Sequence, residues 1–251
     1  MHLAEATWTD VRDAEIDAAF VPVGSTEQHG PHAPLGTDTL DAVAVAEAGA
    51  AVYERGEAGD PAPGDVLVTP PIPVGVAEEH RAFDGTMWVS PETFRAYVRE
   101  ATASMPHHDI DRVVFVNGHG GNVEALAEVA RRFSRDETHE GYAVAFTWFD
   151  GVGDHASDMG HAGPLETALL RATNPELVRE ERIEEARAGA ADRWGEWVSG
   201  VNLAHDADEF TANGVVGDPG EGDVERGELL LELAGDALAE LAAAIVARDT
   251  G

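Results

Sequence analysis

Three side chains of metal-binding type, Glu27, His29 and Asp38, lie within twelve residues near the N-terminus. Glu27 and His29 follow an apolar run that predicts a β-strand, and because they are two residues apart their side chains point to the same side of an extended segment. Asp38 follows a loop rich in glycine and proline that can fold back towards them. Carboxylate and imidazole ligands suit zinc, manganese or ferrous iron, and a shared carboxylate can bridge two ions. The alternative for this segment alone is a turn whose polar groups are satisfied locally.

A second segment places His119 among glycines, in the sequence NGHGGN over residues 117–122. Glycines allow a close approach of the backbone to a ligand. One alternative is a tight turn from strand to helix with Asn122 as N-cap, and another is a loop that holds phosphate. The dinucleotide-binding fingerprint does not fit, because Val123 stands where its third glycine would be. A histidine in the middle of this turn is better explained as a ligand or a proton carrier.

Two further segments carry candidate functional side chains. His161 and Glu166 flank a predicted helix start at Pro164. Glu166 has the alternative role of an acidic residue that favours the first helical turn through the helix dipole. Glu79 and His80 belong to a predicted loop over the site, where His80 is either a substrate contact or a surface histidine.

The elements that must position these residues alternate along the chain. The predicted strands are 18–23, 65–69, 112–116 and 142–146, and the predicted helices are 39–55, one that starts with Ser90 as N-cap, one that starts at Asn122, and 224–248. This alternation predicts a single α/β domain over residues 1–251, a three-layer α/β/α sandwich around a mostly parallel sheet. Because sites in such sheets gather at the carboxyl ends of the strands, Glu27, His29 and His119 are expected to lie close together.

The composition is strongly acidic. The chain has 251 residues, with 48 Asp and Glu against 16 basic residues and a formal net charge of −32, and every basic residue is arginine. Such a surface repels nucleic acid and anionic membranes and destabilises the fold by self-repulsion unless salt screens it. The composition therefore predicts a halophilic protein that binds neither nucleic acid nor membrane. The alternative is an acidic surface built for a basic partner.

Residue types that are absent exclude several mechanisms. No cysteine is present, which excludes a thiolate nucleophile, a disulfide and cysteine-ligated metals. The absence of lysine excludes Schiff-base chemistry and the P-loop lysine. The N-terminus has neither the basic region nor the apolar core of a signal peptide, so we expect a cytoplasmic protein.

Together these segments resemble the creatininase family of metal-dependent amidohydrolases. The resemblance covers almost the whole chain in family order: VPVGSTEQHGPH at 21–32 with Asp38, EHRAF and GT at 79–86, NGHGGN at 117–122, HAG with Glu166-Thr167 at 161–167, and GVVGDP at 214–219. It implies the α/β/α fold, a centre of two divalent ions (zinc, manganese or iron) and a homo-oligomer, often a hexamer.

The resemblance also implies roles for individual residues. Glu27, His29, Asp38 and His119 match metal ligands of the family, with Asp38 as the bridging carboxylate. Creatininases proper carry a glutamate two positions after the matched histidine, where this chain has Gly121, so we expect Glu166 to supply the missing ligand or to act as the base. His161 matches the histidine assigned to proton transfer.

The implied reaction is hydrolysis of a C–N amide bond by activated water, with His161 and Glu166 as catalytic residues. We expect a non-peptide substrate, either a formamide or a small cyclic amide. One branch of the family removes a formyl group from a ribosylaminopyrimidine phosphate, another cleaves a peptide precursor of a redox cofactor, and a third opens creatinine. A phosphorylated substrate would need a cationic clamp, and Arg81 is the only arginine beside a motif. The alternatives are a flavodoxin-like cofactor-binding module and a non-catalytic assembly subunit.

Overall fold

A central parallel sheet organises the chain, and the computed structural model describes residues 1–56 and 64–248. The strands are β1 Ile16–Val23, β2 Asp65–Val68, β3 Arg112–Asn117, β4 Tyr142–Thr147, β5 Trp197–Val198 and β6 Val201–Asn202. The helices are α1 Trp8–Asp13, α2 Thr37–Glu54, α3 Pro91–Thr102, α4 Val123–Phe133, α5 Trp148–Gly151, α6 Pro164–Thr173, α7 Ile183–Gly189 and α8 Val224–Val246. The predicted single domain over 1–251 includes 57–63 and 249–251, which lie outside the described residues.

The main sheet has the order β2-β1-β3-β4, and all its neighbouring strands are parallel. Val21 of β1 pairs with Phe115 of β3, and Val114 of β3 pairs with Val144 of β4. The strands β5 and β6 form a separate antiparallel hairpin. Parallel strands need crossover connections, and helices supply the ones here, which is why strand and helix patterns alternate in the sequence.

Alternate side chains of each strand pack on opposite faces of the sheet. Phe20 and Val114 face a core that includes residues of α2, α6 and α8. Val21 and Phe115 face a second core that includes residues of α3 and α4. Both faces are therefore covered, which confirms the predicted three-layer α/β/α sandwich. None of the helices in the described part of the chain is long and apolar enough to cross a membrane.

The predicted elements are present, with shifts at their ends. All four predicted strands form the main sheet, and Ser90 caps α3 by accepting a hydrogen bond from the Thr93 backbone N–H. Helix α2 begins at Thr37 rather than Thr39, so Asp38 lies in its first turn. Helix α4 begins at Val123 after a short 3-10 turn, and the Asn122 side chain does not cap it.

Asn122 instead ties the site loops together. Its Oδ1 accepts a hydrogen bond from the Val76 backbone N–H at 3.0 Å, and its Nδ2 donates to the Gly24 carbonyl at 3.0 Å. The chain after β1 and the chain near residue 76 are thereby held against the end of β3. Asn122 does stand at the N-cap position of α4, but its side chain bonds between loops and makes no capping hydrogen bond.

Candidate metal centre

The carboxyl ends of β1 and β3 meet the first turn of α2, and the predicted ligands converge there. Glu27 and His29 follow β1, His119 follows β3, and Asp38 lies in α2. Gly118 makes this approach possible, because a Cβ at that position would lie 2.0 Å from the Asp38 carbonyl oxygen. All four ligand candidates are buried, with at most 5% exposure.

Two imidazoles lie against one carboxylate. Asp38 Oδ1 is 3.0 Å from His29 Nε2, and Asp38 Oδ2 is 3.2 Å from His119 Nδ1. Glu27 Oε1 is 3.1 Å from the same His119 nitrogen. Asp38 therefore stands between the two histidines, the position that a bridging carboxylate takes.

The ring nitrogens on the far side of each imidazole bond to backbone carbonyls. A carbonyl oxygen only accepts, so each of these nitrogens carries a proton, and the opposite nitrogen is the one turned towards the carboxylates, where a neutral ring would offer its lone pair to a cation. Such partners orient metal-binding histidines in general. The donors and their carbonyl acceptors are His29 Nδ1 to Glu27 (3.2 Å), His119 Nε2 to Val76 (2.7 Å) and His161 Nε2 to Gln28 (2.6 Å).

His161 and Glu166 enter from the segment that leads into α6. His161 Nδ1 is 3.8 Å from Glu27 Oε1, and Glu166 Oε1 is 3.9 Å from His29 Nε2. The other Glu166 oxygen accepts a hydrogen bond from the Ala162 backbone N–H. Ala162 has φ +49°, a left-handed conformation that is uncommon for a residue with a side chain. The structure thus brings together six residues that the sequence analysis named: Glu27, His29, Asp38, His119, His161 and Glu166.

His80 is also part of the site. It is 1% exposed, so the alternative of a surface histidine is wrong. Its ring stacks on that of His161 with centroids 4.3 Å apart. Gln28 Oε1 accepts a hydrogen bond from the Gly30 backbone N–H at 2.9 Å, so the other end of the Gln28 amide is the NH₂ group. His80 Nδ1 therefore accepts a hydrogen bond from Gln28 Nε2 at 2.8 Å. His80 Nε2 then faces Glu27 Oε1 at 3.5 Å.

Several buried atoms of the cluster have no hydrogen-bond partner in the protein, and a bound cation would satisfy them. Within the described part of the chain, no hydrogen bond reaches either Glu27 oxygen, His29 Nε2 or Asp38 Oδ2, although all are buried. Buried carboxylates without partners are costly. Three groups of ligand atoms lie within 4.8 Å of one another: Glu27 with His29 and His161, Glu27 with Asp38 and His119, and His29 with Asp38 and Glu166. Oxygen and nitrogen donors in this arrangement fit zinc, manganese or iron.

The electrostatics of the cluster reflect burial opposed by charge pairing. Burial raises the pKa of Glu27 to about 7, although His119 opposes the shift. Burial acts in the same direction on Asp38, but the His29 charge and the His119 hydrogen bond hold the pKa of Asp38 well below its usual value. Burial lowers the pKa of His161 to about 4, helped by the nearby His29. Shifted pKa values of this kind are typical of functional sites.

A cavity of about 340 Å³ opens onto the cluster. Sequence reasoning gave no role to Gln28, Phe149 or Trp194, yet Gln28 fixes two site histidines, and Phe149 and Trp194 line the cavity. Gln28 could have been suspected from its place between Glu27 and His29. Trp194 lies in an irregular segment without a motif, so no local signal indicated it.

The whole-chain comparison with protein families agrees with this geometry. The creatininase model, described as creatinine amidohydrolase, matches residues 4–242. The chain belongs to the creatininase family. The family match and the similar proteins below support an amidohydrolase. Its cluster of acidic and histidine side chains lies where the sheet topology places sites.

Similar proteins differ in what they act on. A mycofactocin precursor peptide peptidase from Mycobacterium ulcerans is 36% identical over 89% of this chain and 84% of its own length. A creatinine amidohydrolase from Pseudomonas putida is 27% identical over 72% of this chain and 75% of its own. A solved creatinine amidohydrolase superposes with a TM-score of 0.81 at 24% identity, covering 99% of this chain and 98% of that one. A creatininase structure described as the manganese form has a TM-score of 0.78 at 22% identity, with coverages of 98% and 99%.

Proposed function

We propose that this chain is a binuclear metal-dependent amidohydrolase that cleaves a peptide bond of a small precursor peptide. The observation that carries the proposal is the convergence of two backbone-oriented imidazoles, His29 and His119, on buried carboxylate oxygens that lack hydrogen-bond partners. Protons fixed on the far ring nitrogens by backbone carbonyls leave the near nitrogens of the neutral rings free for cations. Zinc, manganese and iron all accept this donor set.

The arrangement supports two sites that share Asp38. Glu27 and His119 Nδ1 would hold one ion together with Asp38 Oδ2. His29 Nε2 and Glu166 Oε1 would hold the other together with Asp38 Oδ1. Bound divalent ions lower the pKa of water towards neutrality and polarise a carbonyl. Because the second Glu166 oxygen is engaged by the Ala162 N–H, we assign Glu166 as a ligand rather than a base.

His161 is the proton carrier in this proposal. Its Nε2 proton is held by the Gln28 carbonyl, so Nδ1 is the atom that can exchange a proton at the site. The lowered pKa of His161 keeps Nδ1 unprotonated near neutral pH, where it accepts a proton from water. The resulting imidazolium gives that proton to the leaving amine, which is a poor leaving group without it.

The peptide substrate is supported by the 36% identity to a mycofactocin precursor peptide peptidase, against 27% to a creatinine amidohydrolase. This order differs from our expectation from sequence, which placed a formamide or a small cyclic amide first. Opening of a cyclic amide is the second candidate, supported by the P. putida relative. A flavodoxin-like phosphate loop is not supported, because Gly118 and Gly121 pack against the Asp38 and Val76 carbonyls of the protein itself.

Metal content is the first test. The protein is purified in molar KCl without chelator, and metal per chain is measured by elemental analysis for the wild type and for Asp38→Ala. We expect about two transition-metal ions per chain in the wild type and a large loss in the variant, because Asp38 faces both halves of the cluster. Metal-free wild-type protein that takes up no manganese, zinc or iron would contradict the proposal.

Substrate class is tested by presenting short peptides, creatinine and a formamide to the metal-loaded protein. Cleavage of peptides alone supports the first candidate, and cleavage of creatinine alone supports the second. A cytoplasmic location, a halophilic character and assembly into a homo-oligomer stay predictions from the sequence.

A further inference from the structure

The cavity above the candidate metal centre has acidic and aromatic side chains in its lining, and among the described residues no arginine or lysine lines it. Its lining contains the carboxylates of Glu79 and Glu166 and no arginine. Arg81, the arginine nearest in sequence, turns away from it, with Nη2 2.6 Å from Asp206 Oδ2 and Nη1 3.7 Å from Glu78 Oε1. Among the described residues, a phosphate or carboxylate of a substrate bound beside Glu79 would therefore meet a negative side chain with no arginine to compensate it.

Glu79 is the carboxylate of this cavity that the proposed metal sites do not use. Its side chain is 24% exposed, and Oε1 lies 3.8 Å from His119 Nε2. That nitrogen carries a proton donated to the Val76 carbonyl, so Glu79 lies on the side of the imidazole away from the metal-facing lone pair. Glu79 also belongs to none of the candidate ligand groups found among the described residues.

The absence of a side chain at Gly121 opens space for Glu79. An ideal Cβ at Gly121 would lie 3.0 Å from Glu79 Oε1. Among the described residues, the Glu79 carboxylate has one ion-pair contact, the His119 ring edge, besides the contact with its own backbone. Phe149 and Trp194 supply aromatic surface to the same cavity, and aromatic rings attract cations.

We propose that the Glu79 carboxylate binds a cationic nitrogen of the substrate beside the amide bond that is hydrolysed. The proposal rests on the proposed function and specifies its substrate class: a peptide with either a free N-terminal ammonium or a basic side chain next to the scissile bond. Glu79 lines the same cavity as His161 and Glu166, so a group bound to Glu79 lies in the cavity that opens onto the proposed metal centre. Such a contact selects cationic over neutral substrates through a charge-assisted hydrogen bond.

Equilibrium binding measurements distinguish a free N-terminal ammonium from a basic side chain as the group that Glu79 binds. Three ligands are titrated calorimetrically into the protein as purified, at one salt concentration: leucinamide with a free α-ammonium, N-acetyl-leucinamide without charge, and N-acetyl-lysinamide with a side-chain ammonium. We expect one of the two cations to bind about tenfold to a hundredfold more tightly than the neutral ligand. Preference for leucinamide identifies an N-terminal ammonium, and preference for N-acetyl-lysinamide identifies a basic side chain.

Two variants assign the preference to Glu79. Glu79→Gln keeps the shape of the side chain and removes its charge, so the three ligands should bind within about twofold of one another. Glu78→Gln is the matched control, because Glu78 is on the same turn but its side chain is 61% exposed and pairs with Arg81. It should retain the preference of the wild type.

The outcomes separate this inference from the proposed function. Equal affinities or undetectable binding in the wild type, or a cation preference that persists in Glu79→Gln, would overturn the role of Glu79. If the cation preference depends on Glu79 but no peptide is hydrolysed, the proposed peptidase activity is contradicted and the cation site at Glu79 is still supported.

Discussion

Gly121→Ala should disrupt the candidate metal centre, although Gly121 ligates nothing in it. An added Cβ would lie 2.2 Å from the Val76 carbonyl oxygen and 2.5 Å from His119 Nε2. Ordinary contacts begin near 3.4 Å, so the Val76 carbonyl must move by about 1 Å or the loop must shift. Overpacking of this kind costs about 1–3 kcal/mol. The same movement breaks the 2.7 Å hydrogen bond that orients His119, which adds about 1 kcal/mol.

The effect on metal binding follows from the same hydrogen bond. The Val76 carbonyl holds the proton on His119 Nε2 and so directs Nδ1 towards Glu27 and Asp38. Loss of such an orienting partner typically lowers metal affinity by about 10- to 100-fold. We therefore expect Gly121→Ala to be less stable by about 2–4 kcal/mol and to bind metal at least tenfold more weakly.

Gly120→Ala is the matched control. A Cβ at Gly120 has nothing within 4 Å, although the residue is next in the chain and in the same turn. Both variants are unfolded by denaturant in high salt, and metal affinity is measured by competition with a chromogenic chelator. If Gly121→Ala matches Gly120→Ala in stability and affinity, the close packing of this turn does not position His119 and the reasoning fails.

Further predictions concern proton transfer, pH and salt. His161→Ala should lower turnover by about 10²- to 10⁴-fold while metal content stays near that of the wild type; loss of both ions would instead make His161 a ligand. Burial lowers the pKa of His32 to about 4 in the folded protein. Between pH 6.5 and 4 the unfolded chain therefore binds more protons than the folded one, so the free energy of unfolding falls as the pH falls, by about 3 kcal/mol at most. His32→Gln should flatten this part of a stability–pH curve; an unchanged slope would refute the assignment. Burial raises the pKa of Asp41, because a charged carboxylate is costly at that position in the folded protein. Asp41→Asn removes this cost, so it should stabilise the protein near pH 7 after its metal has been removed by a chelator; equal or lower stability would contradict this. The melting temperature should rise from low salt to molar KCl because salt screens the net charge of −32, and equal melting temperatures would remove the basis for a halophilic protein.

The sheet and the clustering of the candidate ligands could be predicted because local sequence patterns indicate both. Strands buried on both faces are continuous apolar runs, and β1 and β3 are followed directly by Glu27, His29 and His119. The fold then brings strand ends together without further information. The start of α2 was misplaced by two residues, because Thr37 and Asp38 are ordinary loop residues in composition but favour a first helical turn.

Long-range contacts account for what the sequence did not reveal. Gln28 Nε2 bonds to the Gly214 carbonyl across a separation of 186 residues, and this bond orients the amide that fixes His80. His80 had two interpretations in the sequence because a histidine beside Glu79 has no periodic pattern that indicates burial. Trp194 reaches His80 with ring centroids 5.5 Å apart from a segment that carries no motif. Only the packed structure brings these residues together.

Backbone carbonyls, rather than side chains, orient three of the site imidazoles. His29, His119 and His161 each donate a proton to a main-chain carbonyl, and no substitution removes a carbonyl. The Gln28 carbonyl that holds His161 belongs to the same extended segment as Glu27 and His29, so one stretch of chain supplies two ligands and orients the proton carrier. The centre should therefore tolerate changes in the side chains around it and be sensitive to substitutions that move these loops, which is why a glycine in the His119 turn matters more for metal binding than many residues closer to the carboxylates.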